Sequence, residues 1–490
     1  MRIKKSNKKD EGRRLKDEKL LPKSLSLVTR HSSLSPVAFF WDESFLWGLM
    51  AYNVLKNLGL PFDLVRSADI KKGCLKNYKM FFVPGGWASN KGKALSERGR
   101  KAIRDFVDAG GNYLGLCGGA GLAIMDGIGL LNVTRKPTKD RIPSFSGRIC
   151  LNVKEHPIWN GISNSSLPPF VKGGRGGIFY PSHIFHAYWP SQFILKDKKI
   201  KTLATFGDAL PDAFSSDLNI GDVNKTGNWA ELEKRYQINL DPARLMNEPA
   251  IIEGKFGKGK VVLSLVHFDT PDDENGQIVL RNLWEYLSCF RGQGIKGSRG
   301  QRGKINHSLE SLNPGTLEPS QLVLELETAT AEFISFGERN FLWFWRNPML
   351  LQWRRGIRGL EYCTLFVMIK EIVERLMDRK ALCVMGYELK EKDTSRVTRY
   401  VLRIKKLLIP FIEKSKQLLI MERHALQNGQ LSPISPPLLE GGRKGCNDSE
   451  IQKIRTELFS DTKSHGGEFK KLIDEVDNLL FSLLSSPKNL

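Results

Sequence analysis

Cysteine is scarce in this sequence and lies in no metal-ligand pattern. The seven cysteines are an odd number, and no two of them form a Cys-x-x-Cys pair. A disulfide-rich scaffold and a structural zinc site both need such repeated spacings. We therefore expect a protein of a reducing compartment without a metal site. We also expect no cofactor.

Long apolar runs are also absent. No stretch of about 18 uncharged apolar residues occurs, so we expect no transmembrane segment. The N-terminal stretch MRIKKSNKKDEGRRLKDEK is charged throughout and lacks the apolar centre of a signal peptide. Together these features predict a cytoplasmic protein.

Acidic residues are too few to balance the basic ones. The chain has 75 Lys and Arg against 53 Asp and Glu, a formal net charge of +22. Such an excess favours an anionic partner, such as nucleic acid, a phosphorylated ligand or a membrane surface. It is concentrated in the N-terminal tail, in RGQGIKGSRGQRGK and in the C-terminal helices. This distribution argues against a charged substrate as its cause.

Composition changes along the chain predict four segments. At 490 residues, a size of about 150 residues per domain favours two to three domains. We predict a basic flexible tail over 1–33, an α/β domain over 34–290, a glycine-rich basic linker over 291–325 and a helical domain over 326–490. The last segment contains three stretches with apolar residues at steps of three and four, which predict helices.

The α/β prediction comes from strands that alternate with helices. VAFFW, FDLVRS, MFFVPGG and NYLGLC have strand character, and amphipathic helical stretches separate them. Such alternation predicts right-handed crossovers and a doubly wound parallel sheet of the flavodoxin-like class. Ligands of these sheets bind at the carboxyl ends of the strands, where the PGG and LCGG turns fall. A later hairpin is predicted for EPAIIEGKFGKGKVVLSLVHFD.

The clearest chemical motif is Gly115-Leu116-Cys117-Gly118-Gly119, between a predicted strand and a predicted helix. A nucleophile at such a sharp turn needs glycine neighbours so that the backbone can pass close to it. The N-terminus of the following helix also favours a thiolate. The alternatives are a buried cysteine in a glycine-rich turn and a phosphate-binding loop.

A thiol nucleophile needs a base that a carboxylate orients. His267 and Asp269 are two residues apart at the end of a predicted strand, so their side chains point to the same side. A structural histidine is the alternative. Farther upstream, IFYPSHIFHAYWP places Tyr180, His183 and His186 where they would line a pocket above Cys117. A metal site there is not expected, because the flanking prolines disfavour a helix and no carboxylate completes a ligand set.

These segments carry a family resemblance. PGGWA, AGGNYLGLCGGAGLA and EPAIIEGKFGKGKVVLSLVHFD resemble parts of class I glutamine amidotransferases, in particular the amidotransferase-like N-terminal module of some biotin-protein ligases. The resemblance implies that Cys117 is the nucleophile, His267 the base and Asp269 the orienting acid. It also implies an oxyanion hole formed by the backbone amides of Gly85, Gly86 and Gly118.

The chain departs from that family in two ways. The usual glutaminase arrangement ends in His-x-Glu, whereas His267-Phe268-Asp269 carries a carboxylate one methylene shorter. A biotin-ligase core is also missing: only Gly173-Gly174-Arg175-Gly176-Gly177 is similar to the biotinoyl-adenylate loop of those enzymes, and we expect it to be a plain glycine loop.

Three hypotheses follow. The first is a cysteine-dependent amide hydrolase or acyl transferase with a small-molecule amide or acyl substrate, which would need a separate synthetase chain to use released ammonia. The second is a ligand-binding module without turnover. The third is a scaffold whose basic helical domain docks a partner, a membrane or nucleic acid.

The basic and aromatic residues of the helical segment bear on the third hypothesis. FLWFWRNPMLLQWRRGIRG combines tryptophans with arginines, as membrane-interface helices and nucleic-acid-stacking surfaces do. Core packing explains the same aromatics. A second basic group is spaced for one helix face, where a solvated surface is the alternative; it consists of Arg396, Arg399, Arg403 and Lys406.

Overall fold

The computed structural model describes residues 35–162, 183–289, 319–384, 391–427, 449–460 and 465–485. The predicted tail, Tyr180, the Gly173–Gly177 loop and most of the predicted linker lie outside these ranges. The first elements along the chain are β1 (Val37–Phe40), α1 (Phe45–Asn57), β2 (Asp63–Val65), α2 (Ser67–Lys71), β3 (Met80–Val83), α3 (Ala88–Asp108), β4 (Asn112–Leu116) and α4 (Gly118–Ala123).

Mostly antiparallel strands follow before the parallel sheet is completed. They and their helices are β5 (Val133–Arg135), β6 (Phe145–Val153), β7 (Ile184–Tyr188), β8 (Phe193–Leu195), β9 (Lys201–Ala209), β10 (Phe214–Ser215), β11 (Leu218–Asn219), α5 (Ile220–Thr226), α6 (Trp229–Tyr236), β12 (Pro249–Phe256), β13 (Gly259–Ser264) and α7 (Glu274–Ser288).

One large sheet joins most of these strands in the order β11-β10-β6-β9-β12-β13-β4-β3-β1-β2, with β7 paired to β6. Strands β2, β1, β3, β4 and β13 are mutually parallel. Their spatial order corresponds to the 2-1-3-4-5 order of flavodoxin-like sheets. The predicted α/β class is therefore confirmed. The antiparallel side of the sheet extends well beyond the single hairpin, β12–β13, that the sequence predicted.

Helices cover both faces of the parallel strands. Phe39 and Phe82 pack together on one face, where Trp284 of α7 adds a third ring 5.2 Å from Phe82. Phe40 points to the opposite face, where the amine of Lys91 on α3 lies 5.4 Å from its ring centre. Every residue of β1 and β3 is buried. Burial on both faces explains why these strands read as continuous apolar runs.

The C-terminal part is helical, as predicted, with one β-hairpin among the helices. Its elements are α8 (Pro319–Arg339), β14 (Trp343–Asn347), β15 (Leu350–Trp353), α9 (Gly359–Val384), α10 (Glu391–Gln427), α11 (Ser449–Phe459) and α12 (Gly467–Leu484). Helix α8 begins inside the stretch predicted to be a linker. None of the helices in the described ranges is both long and apolar enough to cross a membrane.

The hairpin lies in the Trp- and Arg-rich stretch that we placed in a helical domain. Aromatic residues favour strands, and the Asn347-Pro348 pair favours a turn. The side chain of Asn347 accepts a hydrogen bond from the backbone N–H of Met349 at 2.9 Å, which fixes that turn. These residues therefore form a β-hairpin within the domain that we predicted to be helical.

The helical part and the α/β part form one compact unit over Ser35–Leu490. The indole N–H of Trp41, just after β1, donates to Asp477 of α12 at 2.8 Å. The guanidinium of Arg346 on β14 donates to the hydroxyl of Ser146 on β6 at 2.6 Å. The helical part therefore packs directly on the α/β part, with α12 at the β1 side and the β-hairpin at the β6 side.

Candidate active site

Cys117 lies at a strained turn between β4 and α4. Its φ of 48° and ψ of −106° fall in a region that non-glycine residues rarely adopt. The backbone is held on both sides: the N–H of Cys117 donates to the carbonyl of Ser264 at 2.7 Å, and its carbonyl accepts from Gly121 at 2.9 Å. The side chain is half-buried. This is the geometry expected of a nucleophile elbow.

The glycines around Cys117 are needed for close backbone contacts. A Cβ on Gly118 would lie 1.7 Å from the carbonyl oxygen of Gly86, and one on Gly119 would lie 2.0 Å from that of Val83. A Cβ on Gly115 would lie 2.6 Å from the backbone of Gly119. Only glycine therefore allows the elbow to pack against the turn after β3.

His267 and Asp269 form a buried pair beyond the end of β13. Both residues are fully buried, and Nδ1 of His267 lies 2.9 Å from Oδ1 of Asp269. The backbone N–H of His267 donates to the carbonyl of His186 at 2.7 Å, which fixes the segment against β7. The shorter carboxylate of Asp269 thus reaches the imidazole. Such a bond sets the tautomer and the orientation of a catalytic histidine.

The imidazole of His267 interacts electrostatically with Cys117. Burial alone lowers the pKa of His267, but the charges of Asp269 and Cys117 outweigh that effect and raise the pKa to about 10. Among the described residues, however, no hydrogen bond of ordinary geometry reaches Nε2. The Cys117 thiol instead lies 3.7 Å from the carbonyl oxygen of Tyr188. Catalytic hydrogen bonds are often long until substrate binds.

Aromatic rings enclose the imidazole. The ring of Trp47 on α1 lies 4.9 Å from that of His267, and the ring of Tyr188 lies 5.1 Å from it. Trp189 packs on Trp47 at 5.9 Å, and Trp353 of β15 packs on Trp189 at 5.8 Å. The walls of the site are thus largely apolar, and the hairpin of the helical part contributes to their outer layer.

The two other histidines of the predicted pocket, His183 and His186, have different surroundings. His186 pairs with His267 through the backbone, and its Nδ1 lies 3.2 Å from Asp273. His183 packs edge-on against Trp159 at 5.7 Å, and burial lowers its pKa. In the ranges that the structure describes, no group of His, Cys, Asp and Glu side chains could hold a metal ion.

The predicted oxyanion glycines surround Cys117 and His267. A Cβ on Gly85 would lie 3.0 Å from Cε1 of His267, so the Gly85 backbone borders the imidazole. Gly86 borders the elbow through its contact with Gly118. The structure thus brings Cys117, His267 and all three glycines to one edge of the sheet, and their role in binding an oxyanion stays a prediction.

Lys91 was missed in the sequence. It is fully buried in the first turn of α3, and its amine donates to the carbonyl of Asp42 at 3.3 Å and to the hydroxyl of Ser44. Lysine is almost never fully buried, and the segment Asn90-Lys91-Gly92-Lys93 is typical of a solvated surface. Its position five residues after the PGG turn was the only feature of the sequence that could have placed it near the site.

Comparison with known proteins supports the resemblance for part of this site. Residues 70–125 match a family model described as biotin-protein ligase, N terminal. The matched residues include Gly85, Gly86, Cys117 and Gly118, whereas His267 and Asp269 lie outside them. No curated protein matches the chain in sequence.

Solved structures resemble about half of the chain, at low sequence identity. One putative GMP synthase subunit from Thermoplasma acidophilum is 12% identical, with 52% of this chain and 94% of that chain covered and a TM-score of 0.32. A β-galactosidase from Bacillus circulans sp. alkalophilus is 13% identical, with 51% and 31% covered and a TM-score of 0.28. A cytoplasmic protein from Salmonella typhimurium LT2 is 12% identical, with 52% and 96% covered and a TM-score of 0.28.

Proposed function

We propose that the α/β part is a glutamine amidotransferase-like, cysteine-dependent amide hydrolase or acyl transferase. Cys117 is the nucleophile, His267 the base and Asp269 the carboxylate that orients it. The observation that carries the proposal is one arrangement: a cysteine in a strained glycine-flanked turn beside a fully buried His–Asp pair, with the cysteine contributing to the raised pKa of the histidine.

The reaction runs through a thioester. The Cys117 thiolate attacks the carbonyl carbon of an amide, and a C–S bond forms while backbone amides of the Gly85-Gly86 turn and Gly118 stabilise the oxyanion. As the C–N bond breaks, the protonated Nε2 of His267 gives its proton to the leaving nitrogen. Water or an acceptor amine then attacks the thioester, His267 takes up its proton, and the thiolate is released.

The aromatic walls of the site support a small substrate. A site bordered by Trp47 and Tyr188, both buried, suits a small amide or acyl compound. If ammonia is the product, a separate synthetase chain is its consumer. The basic residues of the tail and of α10 are the candidates for an anionic partner.

A second candidate is a ligand-binding or scaffold module without turnover. The observation that favours it is the position of the thiol, which lies 3.7 Å from the Tyr188 carbonyl rather than within a hydrogen bond of His267. A thiol that keeps that position donates to the backbone rather than to Nε2 of His267.

The rate of Cys117 alkylation against pH separates the two candidates. Peptide mass spectrometry would measure how fast a glutamine-like chloroketone and iodoacetamide label each cysteine, in the whole chain and in His267→Ala. Cys289 is the reference for an accessible thiol, because its side chain is exposed. Cys74 and Cys363 should label slowly, because burial raises their thiol pKa to about 11 and about 12.

A working pair predicts that Cys117 labels at least about tenfold faster than Cys289 at pH 7 and loses that advantage in His267→Ala. Preference for the glutamine analogue would indicate amidotransferase chemistry. His183→Ala is the matched control, since His183 precedes β7 and packs on Trp159, whereas the thiol contacts Tyr188 at the other end of that strand. Labelling of Cys117 no faster than that of Cys289 would refute the enzyme and leave the binding module.

A further inference from the structure

Lys91 lies directly behind the turn that borders the elbow. A Cβ on Gly86 would be 3.3 Å from Cε and 3.5 Å from Nζ of Lys91. Gly86 in turn touches Gly118, the residue after Cys117, through its carbonyl oxygen. A single residue, Gly86, therefore separates the lysine side chain from the elbow.

The amine of Lys91 holds the connection between β1 and α1. It donates to the carbonyl oxygen of Asp42 and to the hydroxyl of Ser44. This connection is itself strained, because Glu43 and Phe45 have φ values of 55° and 42° that non-glycine residues rarely adopt. An ammonium group has three donors, and the described residues accept from it at only these two positions.

Acidic side chains face Lys91 without pairing with it directly. Asp42 accepts from the backbone N–H of Ser67, Glu43 pairs with Lys470, and Asp477 pairs with Arg66. In the described ranges, no carboxylate lies within ion-pair distance of the Lys91 amine. A buried ammonium without a direct ion pair costs stability. Such a cost is typical of groups kept for function.

The strand order places Lys91 at the expected ligand-binding crevice. From β1 the chain runs outward to β2 on one side, and β3 and β4 lie on the other side. Ligands of open α/β sheets bind outside the carboxyl ends of the strands at such a switch point. Lys91 follows β3, and its amine reaches the connection that follows β1, so the side chain spans the crevice.

We propose that Lys91 is a positioning residue of the reaction, whose ammonium holds the β1–α1 connection against the Gly85-Gly86 turn and supplies positive charge that favours the Cys117 thiolate and the oxyanion. The inference rests on the proposed function and adds a fourth group to the three of the triad. Lys91 acts through the backbone and through its charge, and it forms no bond to substrate.

The charge of Lys91 changes near neutral pH. Burial lowers the pKa of its amine to about 7, against the opposing effects of Glu43, Asp42, Asp477 and Cys117. Asp42 and Glu43 lie on the β1–α1 connection, Asp477 on α12 and Cys117 at the elbow. Below pH 7 the ammonium is present and supports the thiolate, and above it the support is lost. Removing the amine should therefore slow Cys117 at low pH and have little effect at high pH.

The test compares iodoacetamide labelling of Cys117 from pH 5.5 to 9.5 in the whole chain, in Lys91→Met and in Lys91→Arg. We expect Lys91→Met to label about tenfold more slowly than wild type at pH 6 and to converge with it at pH 9. Lys91→Arg, whose charge persists at all these pH values, should label Cys117 at the wild-type rate at pH 6. Its profile should lack the loss of support near pH 7 that deprotonation of Lys91 causes in wild type. Lys260→Met is the matched control, because that amine lies over Tyr286 at the amino end of β13.

The fully buried thiol of Cys363 reports folding in the same samples. If Lys91→Met unfolds the chain, Cys363 is labelled as well, and the test then depends on Lys91→Arg alone. A change in the Cys117 labelling rate near pH 7 that persists in Lys91→Arg would overturn the inference. If Lys91→Met and wild type label Cys117 with the same pH profile while His267→Ala still labels it slowly, the role of Lys91 is overturned and the proposed triad stands. A wild-type Cys117 as slow as Cys289 would instead refute the proposed function, and this inference with it.

Discussion

The α/β part and the helical part of this chain place their buried polar groups differently. In the α/β part, Cys117, Lys91 and the His267–Asp269 pair converge on one edge of the sheet. In the helical part the interior is dominated by an aromatic cluster that includes Tyr362, and buried Glu422 is neutralised by Arg455 at 2.6 Å. The first arrangement is suited to chemistry, and the second is suited to stability.

The helical part is nevertheless adjacent to the site. On the α12 side, Lys470 pairs with Glu43 at 3.1 Å, next to the connection that Lys91 holds. On the hairpin side, Trp353 continues the ring contacts that lead through Trp189 and Trp47 to His267. Two contacts thus link the helical part to the edge of the sheet where we propose the reaction.

The largest effect is expected for glycine substitutions that compare the two parts. Gly118→Ala places a Cβ 1.7 Å from the Gly86 carbonyl oxygen, so the backbone must move, and we expect a loss of about 4 kcal/mol or more of the free energy of unfolding. Gly356→Ala, after β15, has a φ of 92° but open space around the new Cβ, so a loss of about 1 kcal/mol is expected. Guanidinium denaturation measures both.

Labelling of Cys117 adds a second measurement to the glycine pair. Gly118→Ala should also abolish the fast labelling, because the elbow and the oxyanion glycines move with it, whereas Gly356→Ala should leave it unchanged. Equal losses of stability in the two variants would show that the close approach of Gly118 to the Gly86 carbonyl does not set the cost.

How much the sequence could predict follows the same division. The parallel strands and the elbow were predictable because their signals are local: apolar runs buried on both faces, and glycines next to Cys117. The contact of the Asp269 carboxylate with the His267 imidazole was not predictable, because it depends on the backbone hydrogen bond between His267 and His186. The burial of Lys91 was not predictable either, because it depends on the connection after β1, which lies nearly 50 residues earlier in the chain.

A smaller effect, about 2 kcal/mol, is expected from the pH dependence of α12 docking. Burial raises the pKa of Asp477 to about 7, although Arg66 and the Trp41 N–H oppose the shift. The folded chain thus holds a proton that the unfolded carboxyl releases near pH 4. The stability from this proton is complete below about pH 4 and is lost as the pH rises through 7.

The stability of wild type relative to Asp477→Asn should therefore fall by about 2 kcal/mol between pH 5 and pH 8. Guanidinium denaturation at each pH gives the difference, and subtraction of the variant removes the contribution of other groups. Asp105→Asn is the control, because Asp105 is exposed on α3 and pairs with Lys101. A difference that does not change with pH would show that Asp477 stays ionised when α12 docks.

The smallest effect concerns the hairpin wall. Trp353→Leu removes the ring that packs on Trp189, whereas Trp345→Leu in the same hairpin removes one that packs on Phe366 inside the helical part. Each should cost about 1 kcal/mol of the free energy of unfolding. Only Trp353→Leu should change Cys117 labelling, with a bulky glutamine-like chloroketone reacting about two- to threefold faster and iodoacetamide unchanged. The bulky reagent is the sensitive one because it needs the space that the indole occupies. If both variants label like wild type, Trp189 and Trp47 form the wall without help from the hairpin, and the helical part meets the site only through α12.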